Sequence, residues 1–361
     1  MDSCGDHYIS NAADTPPKYN SGVQVATTTA GRHGYGYSGV RSTLTKYLVG
    51  AATARPISSP ICIWGCALKW WGGTAVDSPL RIVDTPGPVL HLKGTTGGGF
   101  QVLRAVPSEG TVVIAESDPA YYAMNRWFYL EWESLLAEVA GYTKVWVNGE
   151  LIIDESGLET YTTEYQELHD LLPSTYAEPS TNRWIGFALA GASTFYVDDL
   201  YILDGTDDDA GLAPGDPRHF NAPLGDVEIT CRFPDGEGFA TDFTPTTGDN
   251  WQMVDETDPD EDTTVNTSLI AGDSDLHEIQ DIDTDDTILG VQLLVLAKRS
   301  DDGFAAVTPQ IRQDATTYDL QEKTLPSDYT YTRDIFPFAP DGSLWTDAIF
   351  TAIQGGYKRS V

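Results

Sequence analysis

Between residues 127 and 204 the chain reads WFYLEWESLL, KVWVNGELIID and RWIGFALAGASTFYVDDLYILD in succession. Each run alternates bulky apolar with polar side chains, the period-two pattern of a strand that buries one face. Asn148-Gly149 separates two such arms, Lys144–Val147 and Glu150–Asp154. Both residue types accept the positive φ that a two-residue hairpin turn requires, so a hairpin is predicted there. Upstream, Pro60–Trp71 (PICIWGCALKWW) is a nearly continuous apolar run ended by Gly72-Gly73, which predicts a buried strand. Leu80–Val83, Val89–Leu92, Phe100–Ala105 and Thr111–Ala115 follow as four short strand candidates, punctuated by Gly and Pro. That spacing predicts a β-sandwich centred on 127–204.

The polar stretch 158–179, with Glu159, Glu164, Glu167, His169 and Asp170, interrupts this pattern as a loop insertion. DGTDDDAGLAPGDPRHFNAP at 204–223 is acidic, rich in Gly and Pro and without periodicity, the composition of a linker. The expected organisation is a sandwich domain at 1–205, a linker at 206–223 and a smaller β-rich domain at 224–361. The alternation over Leu224–Phe233 predicts the first strand of that second domain, and the apolar run Thr287–Lys298 a strand central in its sheet. Tyr318–Tyr331 carries further strand signals. One helix is expected at 343–355: Ser343 suits an N-cap, and Trp345, Ala348, Ile349, Ala352 and Ile353 fall on one helical stripe. Gly355-Gly356 would stop it.

Composition agrees with a turn-rich β-protein: Gly 34, Pro 21, Tyr 18 and Trp 9 in 361 residues. The formal net charge of −33 changes the picture more. Nucleic-acid binding rests on Lys and Arg displacing counterions, and anionic membranes repel so acidic a surface, so neither partner is expected. High solubility in salty surroundings is the simplest role for such a charge. The first residues contain neither a basic patch nor an apolar core, so no signal peptide is expected. Leu289–Ala297 is far too short to span a bilayer. Cys62 and Cys66 are separated by three residues, unlike a redox or zinc pair. With Cys4 and Cys231 they are expected as free thiols of a protein made in a reducing compartment.

Candidate chemistry is sparse. Glu131-Trp132-Glu133 sets two carboxylates on one strand face, about 7 Å apart, as a glycosidase would need. The laminarinase-like pattern Glu-x-Asp-x-x-Glu, however, finds Leu136 at its last position. The two acids are therefore expected to face solvent, and no catalytic residue is assigned. The six histidines are scattered, and neither a nucleophile elbow nor a phosphate-binding loop occurs. Asp258, Asp260 and Asp262 open like a calcium loop, but Thr263 and Leu269 hold its sixth and twelfth places; Asp281-x-Asp283-x-Asp285 departs from it in the same way. With Asp198 and Asp199, the first three acids remain the calcium candidates, and Ca²⁺ is the single cofactor considered. Trp70, Trp71, Tyr121 and Tyr122, beside loops, are the candidates for stacking on a glycan, with Tyr35 and Tyr37 of the same kind.

The opening Cys4-Gly-Asp6-His7-Tyr8, followed by Lys18-Tyr19, resembles the start of a group of tailed-bacteriophage virion proteins. The resemblance continues through Trp127–Glu131, Val145–Gly149 and Tyr196–Tyr201. It extends to Leu224–Val227, Ala297–Asp301, Trp345-Thr346 and Gly356–Lys358. It implies a mainly β fold, with a concanavalin A-like jelly-roll sandwich followed by a smaller β-rich domain with one C-terminal helix. It also implies a non-enzymatic minor tail or other structural protein, synthesised in the host cytoplasm and incorporated into the virion. Expected partners are other virion proteins, further copies of the chain in a homo-oligomer, and a host-surface glycan. A head decoration or head-fibre protein is the alternative within that class, and a carbohydrate-binding module or glycan hydrolase outside it.

Overall fold

The computed structural model describes residues 61–71, 80–84, 87–164, 186–189, 194–203, 221–256, 259–282, 287–300, 303–336 and 338–361. It also describes three strands nearer the start, at 24–28, 36–40 and 46–48. The chain divides into two compact units, the first ending at Ile229 and the second running from Thr230 to Val361. Most of 206–223 lies outside the described residues.

The first unit opens with β1 (Gln24–Thr28), β2 (Gly36–Val40), β3 (Lys46–Leu48) and β4 (Ile61–Trp71). Next come β5 (Leu80–Asp84), β6 (Gly87–Gly94), β7 (Phe100–Val106) and β8 (Gly110–Glu116). It closes with β9 (Trp127–Leu135), β10 (Gly141–Val147), β11 (Glu150–Leu158), β12 (Gly186–Leu189) and β13 (Thr194–Leu203). One sheet has the order β1-β2-β13-β4-β9-β10-β11, the other β3-β12-β5-β6-β7-β8. The chain crosses repeatedly between the two antiparallel sheets, as in the expected jelly-roll sandwich.

Alternation places the core. On β4, Cys62, Trp64, Cys66 and Leu68 point inward; on β9, Phe128, Leu130 and Trp132 do so. They meet Ile82, Val89, Leu90, Leu92, Phe100 and Val102 of the opposite sheet in one buried cluster. Trp64 and Trp132 are register partners, and their rings meet edge to face at 5.7 Å. The indole of Trp132 donates to Thr143 Oγ1 at 2.9 Å, so a buried polar atom is satisfied inside the apolar layer. The Asn148-Gly149 turn forms as expected: their φ values are 49° and 79°, and Val147 pairs with Glu150 across it.

The second unit contains β14 (Pro234–Thr241), β15 (Thr244–Pro245), β16 (Asn266–Thr267), β17 (Ser274–Ile279) and β18 (Val291–Ala297). They are followed by β19 (Ala306–Gln313), β20 (Thr316–Asp319), β21 (Lys323–Thr324) and β22 (Thr330–Phe336). The helix α1 (Asp347–Thr351) and β23 (Ile353–Arg359) end it, and a 3-10 turn at Asn250–Met253 follows β15. The main sheet has the order β14-β17-β23-β19-β20, with β21 on β19. The class is therefore as expected: mainly β, with one short helix near the C-terminal end.

Three local expectations fail in this unit. Leu224–Phe233 is not a strand: the amides of Leu224, Gly225 and Ile229 hydrogen-bond to side chains of the sandwich, as described below, and Phe233 pairs with Gln280 of the second unit. The run Thr287–Lys298 gives β18, which lies in a two-stranded ribbon with β22 rather than in the centre of a sheet. The helix is confined to Asp347–Thr351 and capped by Thr346, whose side chain accepts from the Ile349 amide. Ile353–Arg359 is strand. Gly355 and Gly356 act there not as a helix stop but as close-approach positions: a Cβ on Gly356 would lie 2.0 Å from the Asp275 carbonyl oxygen. Trp345, Phe350 and Ile353 do bury together, with Ala339.

The cysteines also differ from expectation. Cys62 and Cys66 are buried and outside any disulfide, but Cys231 is disulfide-bonded to a partner outside the described residues. The thiol count thus no longer argues for a reducing compartment.

Candidate functional site

The acids singled out from the sequence lie on the outer face of the seven-stranded sheet. Because side chains alternate, Tyr129, Glu131 and Glu133 of β9 point away from the core that takes Phe128, Leu130 and Trp132. Register then sets Tyr201 of β13, Gly65 of β4 and Glu131 of β9 in one row across three neighbouring strands. A Cβ on Gly65 would lie 2.4 Å from the Tyr201 ring, so the missing side chain is what lets that ring cross β4. The Tyr201 hydroxyl donates to Glu131 Oε1.

A second chain segment covers this row. The Gly225 amide donates to the same Glu131 oxygen at 2.7 Å, and the Leu224 amide to the Tyr201 hydroxyl at 2.9 Å. The Ile229 amide donates to Asp199 Oδ1 at 3.0 Å. Asp199 sits in the left-handed region, φ 50°, where β13 and β4 lose register, and its carbonyl accepts from the Tyr129 hydroxyl at 3.1 Å. Residues 224–229 are therefore a strap latched at two points to the outer sheet face.

The consequence for the carboxylates is decisive. Glu131 is 3% exposed and Glu133 9%, against the expectation that both face solvent. The strap, contributed by residues far along the chain, is the reason at Glu131. Glu133 Oε1 accepts from the Tyr142 hydroxyl at 2.5 Å. Burial pushes the Glu131 carboxyl above the usual carboxylate range, while the hydrogen bonds from Tyr201 and Gly225 pull it back. Burial also pushes the Tyr201 and Tyr129 phenols far up, so both remain donors at ordinary pH. Glycoside hydrolysis needs two carboxyls open to one sugar bond. Here both are engaged within the protein.

The remaining candidates separate in the same way. Tyr122 packs on the core between Phe100 (5.1 Å) and Phe128 (5.3 Å, stacked), and its hydroxyl donates to the Thr95 carbonyl at 2.7 Å. Burial raises that phenol to about 12. One face of its ring is thus stacked on Phe128 inside the protein. Tyr121 is half-buried against the same core. The backbones of Trp70 and Trp71 pair with Phe195 and Thr194 of β13, but their side chains lie outside the described residues, as do Asp258 and Tyr35.

Asp260 accepts from both the amide and the hydroxyl of Thr264, at 2.9 and 2.6 Å. Asp262 pairs with Lys298 at 2.7 Å and accepts from the Tyr329 hydroxyl at 3.1 Å, which holds its carboxyl below the usual range. Asp198 accepts from the Asp199 amide at 3.0 Å. No group of three or more His, Cys, Asp or Glu side chains fit to hold a metal occurs among the described residues. The aspartates described serve as local hydrogen-bond acceptors.

Sequence reasoning missed Gly65, Tyr201 and Gly225, and singled out Asp199 as a calcium candidate rather than as an acceptor for the strap. One cue existed: a glycine inside the apolar run 60–71 marks close approach of another group.

No family model matches the chain, and no curated protein does. Among solved structures, one similar chain is "Cellulose induced protein, Cip1", at 14% identity and a TM-score of 0.33, covering 52% of this chain and 88% of that one. A Ruminococcus gnavus IT-sialidase CBM40 is similar at 13% identity and 0.31, covering 47% and 89%. The catalytic domain of a glycoside hydrolase family 131 protein from Coprinopsis cinerea is similar at 11% identity and 0.27, covering 46% and 69%. At these values no residue role transfers from any of them.

Proposed function

We propose that this protein is a non-enzymatic structural component of a tailed-phage virion, associated with the tail or tail fibre. It makes assembly contacts with other virion proteins and with its own copies, and attaches to a host-surface glycan. The observation that carries the non-enzymatic reading is the burial of Glu131 beneath the 224–229 strap, where Tyr201 and Gly225 hold its carboxylate. The virion assignment is supported by the sequence resemblance, which spans both units. The outer face beside Glu133 also carries Tyr142, Lys144 and Trp146, half-buried and mixed in character, with the Lys144 ammonium 5.3 Å from the Tyr142 ring centre. Such aromatic and charged mixtures suit contact with a protein or a sugar surface.

Locating the protein on intact particles by labelled electron microscopy tests the reading. Label on the tail in few copies is expected. Hundreds of copies over the head would overturn the tail placement, and absence from washed particles the virion assignment. Incubation with host polysaccharide should release no reducing ends. Release that disappears in both Glu131→Gln and Glu133→Gln would establish a hydrolase instead.

A further inference from the structure

The second unit contains a histidine for which the described residues provide no hydrogen-bond partner. His277 lies on β17, between β14 and β23, opposite Glu237 and Gly355 in register. It is 2% exposed, and neither ring nitrogen has a hydrogen-bond partner among the described residues. Its ring lies 5.9 Å from that of Tyr357 on β23.

The ionisable groups around it already have partners. Asp275, two residues along β17, accepts from the Phe243 amide at 2.9 Å and from Asn250 Nδ2 at 2.7 Å. Glu237 on β14 accepts from the Asn250 amide at 3.0 Å. Asp242, just beyond β14, accepts from the Ser274 amide at 3.2 Å. The Tyr357 hydroxyl accepts from Asn266 Nδ2 at 3.0 Å, and Arg359 of β23 donates to the Ser268 carbonyl. The 3-10 turn and β16 contribute the neutral Asn250 and Asn266, and β18 contributes Leu293, packed against Gly355. An imidazolium at this place would be a buried cation with no hydrogen-bond acceptor for either ring N–H among the described residues, since the neighbouring carboxylates are committed to other donors, and that is costly in a protein interior.

The cheapest relief is local. β14 is the edge strand of its sheet, and its register with β17 breaks between Glu237 and Thr241. Edge elements with interrupted pairing open below the global unfolding free energy. We propose that His277 makes the second unit acid-responsive, with uptake of one proton by its imidazole releasing the β14 edge from β17.

Burial holds the His277 imidazole down from 6.5 to about 4 in the folded protein. A base so depressed leaves the closed form fully stable above pH 6.5, and that stability falls as pH drops from 6.5 towards 4. Amide hydrogen exchange on the full chain, corrected for intrinsic chemistry, reads the opening directly. Between pH 7.5 and 4.5 the opening constant of the β14 and β17 amides should rise on the order of 100-fold. His277→Gln should abolish most of that rise, whereas Asp275→Asn should retain it. A flat wild-type profile, or an equal rise in His277→Gln, would overturn the proposal, as would loss of the response in Asp275→Asn. Should His277→Gln fail to fold, the ring titration in the wild-type protein decides. A folded-state midpoint well below 6 supports the proposal, and one at or above 6.5 refutes it.

Discussion

The two units bury different things. The sandwich interior is a continuous apolar layer in which Trp64, Trp132, Phe100, Leu68, Leu90 and Leu92 are all but inaccessible. Its buried acids Glu131, Glu133 and Asp199 lie on the far side of the seven-stranded sheet, Glu131 and Asp199 beneath the strap. The second unit has a smaller apolar cluster around Trp345, Phe350 and Ile353, and its sheet encloses Asp275, His277, Thr308, Gln310 and Gln313. Apolar burial is indifferent to pH and scales with area. Polar burial depends on every partner being present and in the right protonation state. The first unit should therefore answer to volume and the second to charge.

The largest expected effect tests the volume half of that contrast. Trp132→Ala removes a fully buried indole, its edge-to-face contact with Trp64 and the donor to Thr143. It should cost about 3–5 kcal/mol, seen in calorimetry as a lowered sandwich transition. The transition of the second unit should stay in place. If both transitions fell together, the two units would not be independent cooperative blocks.

Acidification tests the charge half. Depression of His277 to about 4 should remove about 2 kcal/mol from the second unit between pH 7 and pH 5. Asp275, raised by burial, acts in the opposite sense: its contribution is fullest at low pH and is lost as pH rises through its elevated pKa. Glu131 does the same for the sandwich. Neutralising the −33 formal charge relieves self-repulsion throughout the chain, so the informative quantity is the gap between the two transitions. That gap should widen towards pH 5. A gap that stays constant would mean that general charge, not His277, governs the acid response.

How much of this was readable beforehand follows the range of the interactions. The strands at 61–71, 80–84, 100–106 and 110–116 and the Asn148-Gly149 hairpin depend on period-two alternation and on positive φ, both local properties. The burial of Glu131 depends on Gly225, ninety-four positions away, and no window of sequence contains both. The helix expectation failed for a related reason. The stripe from Trp345 to Ile353 is apolar because those residues share one cluster, yet Ile353–Arg359 is drawn into the sheet by pairing with β17 and β19. A tertiary ladder prevailed over local periodicity.

Gly65→Ala sharpens the contrast from a polar device of the sandwich. The new methyl would meet the Tyr201 ring at 2.4 Å and displace the hydroxyl that serves Glu131 and Leu224. A cost of about 1–3 kcal/mol is expected. The strap should also become sensitive to proteolysis near Leu224–Ile229 while the apolar layer remains intact. Unchanged protease resistance would show that the strap is held without Tyr201.

The smallest effect separates the two carboxylates. Glu131 has two donors and lies beneath the strap; for Glu133 the donor is Tyr142, itself half-buried at the open part of the same face. Tyr142→Phe removes one hydrogen bond and should cost about 1 kcal/mol, less than Gly65→Ala and without loosening the strap. Burial and the Glu133 carboxylate together push the Tyr142 phenol up, so the effect should not vary between pH 5 and pH 9. A loss as large as that of Gly65→Ala, with the strap exposed to protease, would mean that the two acids act as one network. The latch would then extend across β9 and β10 rather than ending at Glu131.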